Sequence, residues 1–130
     1  RHRAYEDAPL PIGHGQTISQ PWVHAKYLEL LDLKGTERVL EIGTGSGFQT
    51  ALLTKLARHV FSIERLAPLA EQAREALRRC GVDHVIQRVG DGTLGWPEHG
   101  PYDAILVGAA SPDVPQSLLE QLAEGGQLLI

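Results

Sequence analysis

Between Val39 and Gly47 the chain reads VLEIGTGSG, an apolar strand that runs into Gly43, Gly45 and Gly47, a glycine at every second position. A backbone that turns sharply from strand into helix, and lets a ligand lie against it, has no room for side chains at such points. The feature demands a βα unit, and with it a sheet whose ligand crevice opens at the carboxyl ends of the strands. Its spacing also narrows the ligand. A dinucleotide fingerprint sets its third glycine at position 48, where this chain has Phe48, and the third glycine is Gly47 instead.

Charge sharpens the reading. Glu41 lies two residues before Gly43, at the strand end where a ligand would sit, and a pyrophosphate there would be repelled. The next acidic strand end, Glu64, follows the first glycine by about 20 residues, the offset at which the second strand of such a unit offers a carboxylate to a ribose diol. S-adenosylmethionine has no phosphate and carries a sulfonium and an ammonium, so it is the adenosine-containing cofactor that these acids accommodate. Candidate contacts are Glu41, Gly43, Thr44, Gly45 and Gly47, with Glu64 and the adjoining Arg65. The glycines alone would also suit a plain βα turn; the two acids carry the ligand argument.

At 130 residues the chain is one domain, with 42% hydrophobic and 22% charged residues and no apolar run near the ~18 residues of a membrane span. No basic segment followed by an apolar stretch marks export. A single cysteine, Cys80, excludes an internal disulfide and fits a reducing compartment, so a cytoplasmic location is expected; its place in an apolar helical pattern predicts a buried thiol. The six histidines are scattered, with no close pair at ligand spacing, so no metal is expected. Net charge is −4, and Arg78 with Arg79 is the only adjacent basic pair, which disfavours a nucleic-acid partner. A monomer that binds no membrane is expected.

From Val39 onward, short apolar runs alternate with helical periods, the pattern of a parallel α/β sheet. Strands are predicted at Val39–Gly43, His59–Glu64, His84–Val89, Tyr102–Val107 and Gln127–Ile130. A helix from about Phe48 to Arg58 follows the first. Pro68 opens another, whose apolar face carries Leu69, Ala73, Ala76, Leu77 and Cys80 and which stops at Gly81. A third, after Pro115, carries Leu118, Leu119 and Leu122, and Gly125 with Gly126 turns the chain into the last strand. Asp91 and Gly92 follow the third strand, where a carboxylate suits an exocyclic adenine amine as well as it suits an Asp-Gly turn. Asp103, opening the fourth strand, reads as structural.

Ahead of the sheet, LPIGHGQTISQP is punctuated by Pro9, Pro11, Gly13 and Gly15 and reads as a shaped loop without strand or helix until Ser19. Ser19 followed by Pro21 marks a helix start, with Trp22, Val23, Tyr27, Leu28, Leu30 and Leu31 on its apolar side. Residues 1–33 are thus expected to form a loop and helix ahead of a core spanning 34–130. Arg1 opens in mid-segment and Ile130 stops inside an apolar strand, and a bare edge there would expose a pairing surface. A domain truncated at both ends is expected.

The blocks AYEDAPLPIGHGQTISQP (Ala4 to Pro21), VLEIGTGSGFQTALL (Val39 to Leu53), GDGTLGWP (Gly90 to Pro97) and PYDAILVGAA (Pro101 to Ala110) resemble the protein-L-isoaspartate O-methyltransferases in sequence and order. The glycine block is shared with many methyltransferases, whereas IGHGQTISQP is close to diagnostic. The resemblance implies a doubly wound, mostly parallel Rossmann-like methyltransferase fold with strand order 3-2-1-4-5. It implies methyl transfer from S-adenosylmethionine, leaving S-adenosylhomocysteine, to the free carboxylate of L-isoaspartyl residues in damaged proteins and peptides. It assigns Ser19 as the active-site residue and places Gln16, Thr17, Ser19, His24, Gly43, Glu64, Asp91 and Gly92 around the cofactor. Phe48 departs from a frequent Tyr, which should matter little. The family also has a leading helical segment and further strands past Ile130, so the chain as given is expected to bind cofactor and to need those parts for full activity. A small-molecule O-methyltransferase, or a cofactor-binding module without turnover, is the alternative. An amino-group methyltransferase is disfavoured because Val107 to Pro112 reads VGAASP rather than Asn-Pro-Pro-aromatic, and an NAD-dependent oxidoreductase fails at positions 41 and 48.

Overall fold

The computed structural model describes residues 10–13, 16–18, 28–108 and 114–130. Five strands, β3 (Arg38–Ile42), β4 (His59–Glu64), β5 (Val85–Val89), β6 (Tyr102–Val107) and β7 (Leu122–Leu129), make one sheet in the order β5-β4-β3-β6-β7. Every pairing in it is parallel. Counted within the sheet this is the expected 3-2-1-4-5 order, with its reversal between β3 and β6. The strands read as continuous apolar runs because side chains alternate between two covered faces. Leu40, Ile42, Phe61, Ile63 and Ile105 enter one core, and Val39, Val60, Ala104 and Leu106 enter the other with Leu31 and Leu53.

Helix α1 (Phe48–Leu56) connects β3 to β4 and buries Gln49, Thr50 and Leu53. Helix α2 (Ala67–Arg79) begins with Pro68 in its first turn, where a missing N–H costs nothing, and buries Leu69, Ala70, Ala73 and Leu77 on one stripe. Cys80, just past its end, is exposed, not buried as its apolar spacing suggested. The helix stops at Arg79, so the thiol falls on the terminating turn and leaves the stripe. Asp103 has the structural part expected of it: its Oδ2 accepts the Arg38 N–H at 2.8 Å and ties the start of β3 to β6.

Two further expectations change. Helix α3 (Gln116–Glu120) is five residues long, and Leu122 already belongs to β7. Tyr102 faces Leu122 while Ala104 faces Gln127, so β7 bulges over residues 123–126 and the glycine pair lies inside the strand rather than before it. Upstream, LPIG and QTI are strands β1 (Leu10–Gly13) and β2 (Gln16–Ile18), an antiparallel pair with Pro11 opposite Thr17 and Gly13 opposite Gln16. Proline is tolerated on an edge strand, and in a two-stranded ribbon both strands are edges. Residues 28–31 are helical, in keeping with the helix expected there. Among the described residues no helix is long and apolar enough to cross a membrane.

Candidate functional site

In an open α/β sheet the ligand crevice lies outside the carboxyl ends of the strands at the reversal of strand order, which here means the ends of β3, β4, β5 and β6. Gly43, Gly45 and Gly47 all have positive φ, at 96°, 56° and 88°, a region that costs other residues roughly 1–2 kcal/mol each. A Cβ on Gly45 would meet nothing within 4 Å, so the loop presents bare backbone to open space. Gly47 is the residue before α1, and its N–H donates to Thr44 O at 3.0 Å. Gly108, at the end of β6, approaches so closely that its N–H donates to Ile42 O at 2.8 Å.

Glu64 closes β4 with its carboxylate turned onto this loop. Oε1 accepts the Gly45 N–H at 2.9 Å and Oε2 accepts the Leu66 N–H at 3.0 Å. Arg65 beside it is exposed. Beyond β5, Asp91 accepts from the Thr93 N–H at 3.0 Å and from the Thr93 hydroxyl at 2.7 Å, which caps the turn Gly92–Leu94. The same two bonds lower the Asp91 pKa below the usual carboxylate value. The Asp-Gly turn is therefore present, with the carboxyl group left on the surface beside the crevice. Gly92 presses on the end of β3, since a Cβ there would lie 2.2 Å from Ile42 Cγ2.

Glu41 differs from the expectation of an acid facing the ligand. It is 1% exposed, beneath the loop, because residue alternation turns it to the face covered by α1. Its Oε1 accepts from the Ser62 hydroxyl at 2.8 Å and from the Thr50 hydroxyl, and its Oε2 accepts from Gln49 Nε2 at 3.1 Å. Burial pushes its pKa up to about 7, against the pull of the three donors and with a small contribution from Glu64. Thr44 joins the same group, with its hydroxyl 2.5 Å from that of Ser62.

Gln16 and Thr17 lie on β2, whereas Ser19 and His24 fall outside the described residues. The structure gathers Gly43, Thr44, Gly45, Gly47, Glu64, Asp91 and Gly92 around one set of strand ends. Sequence reasoning missed Gln49, Thr50 and Ser62. A signal existed for the last, a lone serine inside the apolar strand HVFSIE.

An all-parallel sheet with this order, a glycine turn after its first strand and a carboxylate ending its second define a Rossmann-like methyltransferase fold. The family model for protein-L-isoaspartate(D-aspartate) O-methyltransferase matches residues 1–130, and the chain belongs to that family. It is 60% identical over 130 residues to a protein-L-isoaspartate O-methyltransferase of Myxococcus xanthus, covering all of this chain and 61% of that one. It is 58% identical over 126 residues to one from Methanoculleus marisnigri, covering 97% and 57% respectively. The chain thus spans about six tenths of the length of these curated relatives. Among solved structures, a protein-L-isoaspartate O-methyltransferase superposes with a TM-score of 0.85 at 36% identity, over 95% of this chain and 41% of that one. A methyltransferase from Thiobacillus denitrificans in complex with S-adenosyl-L-homocysteine superposes with a TM-score of 0.70 at 25% identity, over 84% and 47%.

Proposed function

We propose that this protein is a repair enzyme that transfers a methyl group from S-adenosylmethionine to the free carboxylate of L-isoaspartyl residues in damaged proteins and peptides. The observation that carries the reading is the fit of the crevice to an uncharged adenosine half: bare Gly45 backbone beside a strand-end carboxylate, Glu64. Gly43, Gly45 and Gly47 would cradle the ligand, Glu64 would take the ribose hydroxyls, and Asp91 with Gly92 would flank the base. Gln16, Thr17, Ser19, His24, Glu41, Thr44 and Arg65 complete the proposed set, with Glu41 and Thr44 acting from beneath the loop. Residues 1–130 are read as one domain of a cytoplasmic, monomeric enzyme, its substrate loop and first helix in 1–33.

When bound, S-adenosylmethionine supplies a methyl group on a positively charged sulfur, which leaves as a neutral thioether. A carboxylate with pKa near ~4 is already ionised at neutral pH, so the chain needs no general base. Its work is positioning, which can supply roughly 7–11 kcal/mol. Ser19, which the sequence pattern marks as a helix start, is suited to orient the substrate carboxylate, because free N–H groups and the helix dipole at such a position attract an anion.

The test offers labelled S-adenosylmethionine and two peptides that differ only in Asp or isoAsp linkage. Base-labile label on the isoAsp peptide alone is expected. Equal labelling of both peptides, or label that resists base, would overturn the assignment. For Ser19→Ala, turnover at saturating cofactor is expected to fall; a loss confined to melting temperature would reduce Ser19 to a helix cap worth about 1 kcal/mol.

A further inference from the structure

Among the described residues, the buried polar side chains are Glu41, Thr44, Gln49, Thr50, Ser62 and Glu64. Thr44 belongs to the glycine loop, Ser62 and Glu64 bond to it, and Glu41 with its donors Gln49 and Thr50 is joined to it through Ser62. The other fully buried side chains are hydrophobic, and the Tyr102 hydroxyl among them donates to Trp96 O. Buried polar clusters of this kind seldom add stability over well-packed apolar residues, and where retained they hold one geometry against its alternatives. At the centre is Ser62, which is 0% exposed and lies opposite Glu41 in the β3–β4 register.

The direction of the chain follows from proton counting. Ser62 has one hydroxyl proton and donates it to Glu41 Oε1, so the 2.5 Å contact with Thr44 has Thr44 as donor and Ser62 as acceptor. Thr44 sits between Gly43 and Gly45, which have no side chains to hold the positive φ angles they adopt. Its hydroxyl is pinned from below by Ser62, while the next N–H, that of Gly45, is held from the side by Glu64.

We infer that Ser62 is a positioning residue for the cofactor: its hydroxyl relays the fixed Glu41 carboxylate to Thr44 and so sets the Gly43–Thr44–Gly45 backbone on which the adenosine half rests. The inference rests on the S-adenosylmethionine reading above. It gives a purpose to a serine that packing alone would replace with alanine or valine.

The test measures S-adenosylhomocysteine affinity and methyl-transfer kinetics on the intact protein and on Ser62→Ala, Ser62→Thr, Thr44→Val and the Ser62→Ala/Thr44→Val pair. Ser62→Ala is expected to weaken S-adenosylhomocysteine about tenfold with the KM for an isoaspartyl peptide unchanged. Ser62→Thr, which keeps the hydroxyl, is expected to restore most of that affinity. The double variant is expected to bind no worse than the weaker single, because both cut the same chain. Should Ser62→Ala fail to fold, Thr44→Val cuts the chain at its other end and carries the same expectation. Unchanged Kd in either single variant, with only the melting temperature lowered, overturns the inference. Wild-type protein that does not bind S-adenosylhomocysteine at all overturns the cofactor reading itself, and this inference with it.

Discussion

At the scale of single residues, Glu41 carries the largest electrostatic consequence. Its partners all donate, so the ionised form is fully hydrogen-bonded, yet burial outweighs them and raises its pKa to about 7. A carboxyl group whose folded pKa lies above its unfolded one contributes stability that is complete below the unfolded value and is lost as pH rises through the folded one. Between pH 5 and 8 the cost of ionising Glu41 amounts to something on the order of 3 kcal/mol. Glu41→Gln is free of that cost, so thermal unfolding should favour the variant over wild type more at pH 8 than at pH 5; a melting difference independent of pH would contradict this. Gly92 gives a steric counterpart. Alanine there meets Ile42 Cγ2 at 2.2 Å and should destabilise by about 1–3 kcal/mol in denaturant titration. Combined with Ile42→Ala the loss should be less than additive, because the second change removes the obstacle. The acidity of position 41 and the glycine at 92 are legible in the sequence. What they meet is not, since the partners Thr50, Ser62 and Ile42 are fixed by how helix and strands stack.

At the scale of elements, legibility follows how many neighbours an element needs. Strands β4 and β6 start and end where apolar runs meet polar residues, because both of their faces are covered and the run itself records that burial. Strand β7 is different. Its pattern LAEGGQLL hides a strand that pairs at Leu122, bulges, and pairs again from Gln127, and nothing local distinguishes a glycine bulge from a glycine turn. The two glycines serve distinct ends. A Cβ on Gly126 would lie 2.9 Å from Ala123 O and 3.0 Å from Tyr102 O, backbone atoms that cannot rotate away, whereas Gly125 has φ 79° and open space around it. Gly126→Ala should therefore lower the melting temperature by an amount equivalent to about 1–3 kcal/mol, and Gly125→Asn, a residue that accepts left-handed backbone, should cost under about 1 kcal/mol. Equal effects at both positions would place the strain elsewhere. The β1–β2 pair was obscured for a related reason: Pro11 and Gly13 signal loop when read singly, and only pairing with QTI makes them a strand.

At the scale of the whole molecule, the question is which ligand the crevice stabilises. In phosphate-binding loops the backbone N–H groups point outward at the anion. Here the Gly45 N–H is taken by Glu64 and the Gly47 N–H by Thr44 O, so these two donors are spent internally and an anion would meet a carboxylate. The argument against pyrophosphate, drawn from Glu41 in the sequence, passes to Glu64, because Glu41 is buried among Gln49, Thr50 and Ser62. Selective binding to the folded state adds stability of about 2.7 kcal/mol at a ligand concentration of 100 times Kd. For a domain of this size that shifts the melting temperature by roughly 5–15 °C. S-adenosylhomocysteine should produce such a shift, and NAD at the same concentration should produce none. Glu64→Gln, measured against its own unliganded form, should shrink the S-adenosylhomocysteine shift by several-fold, because a hydrogen-bonded carboxylate is replaced by an amide whose N–H faces the donors at Gly45 and Leu66. A shift with NAD equal to that with S-adenosylhomocysteine would mean that the loop can release its N–H groups to phosphate, and the cofactor reading would fall with the geometry that supports it.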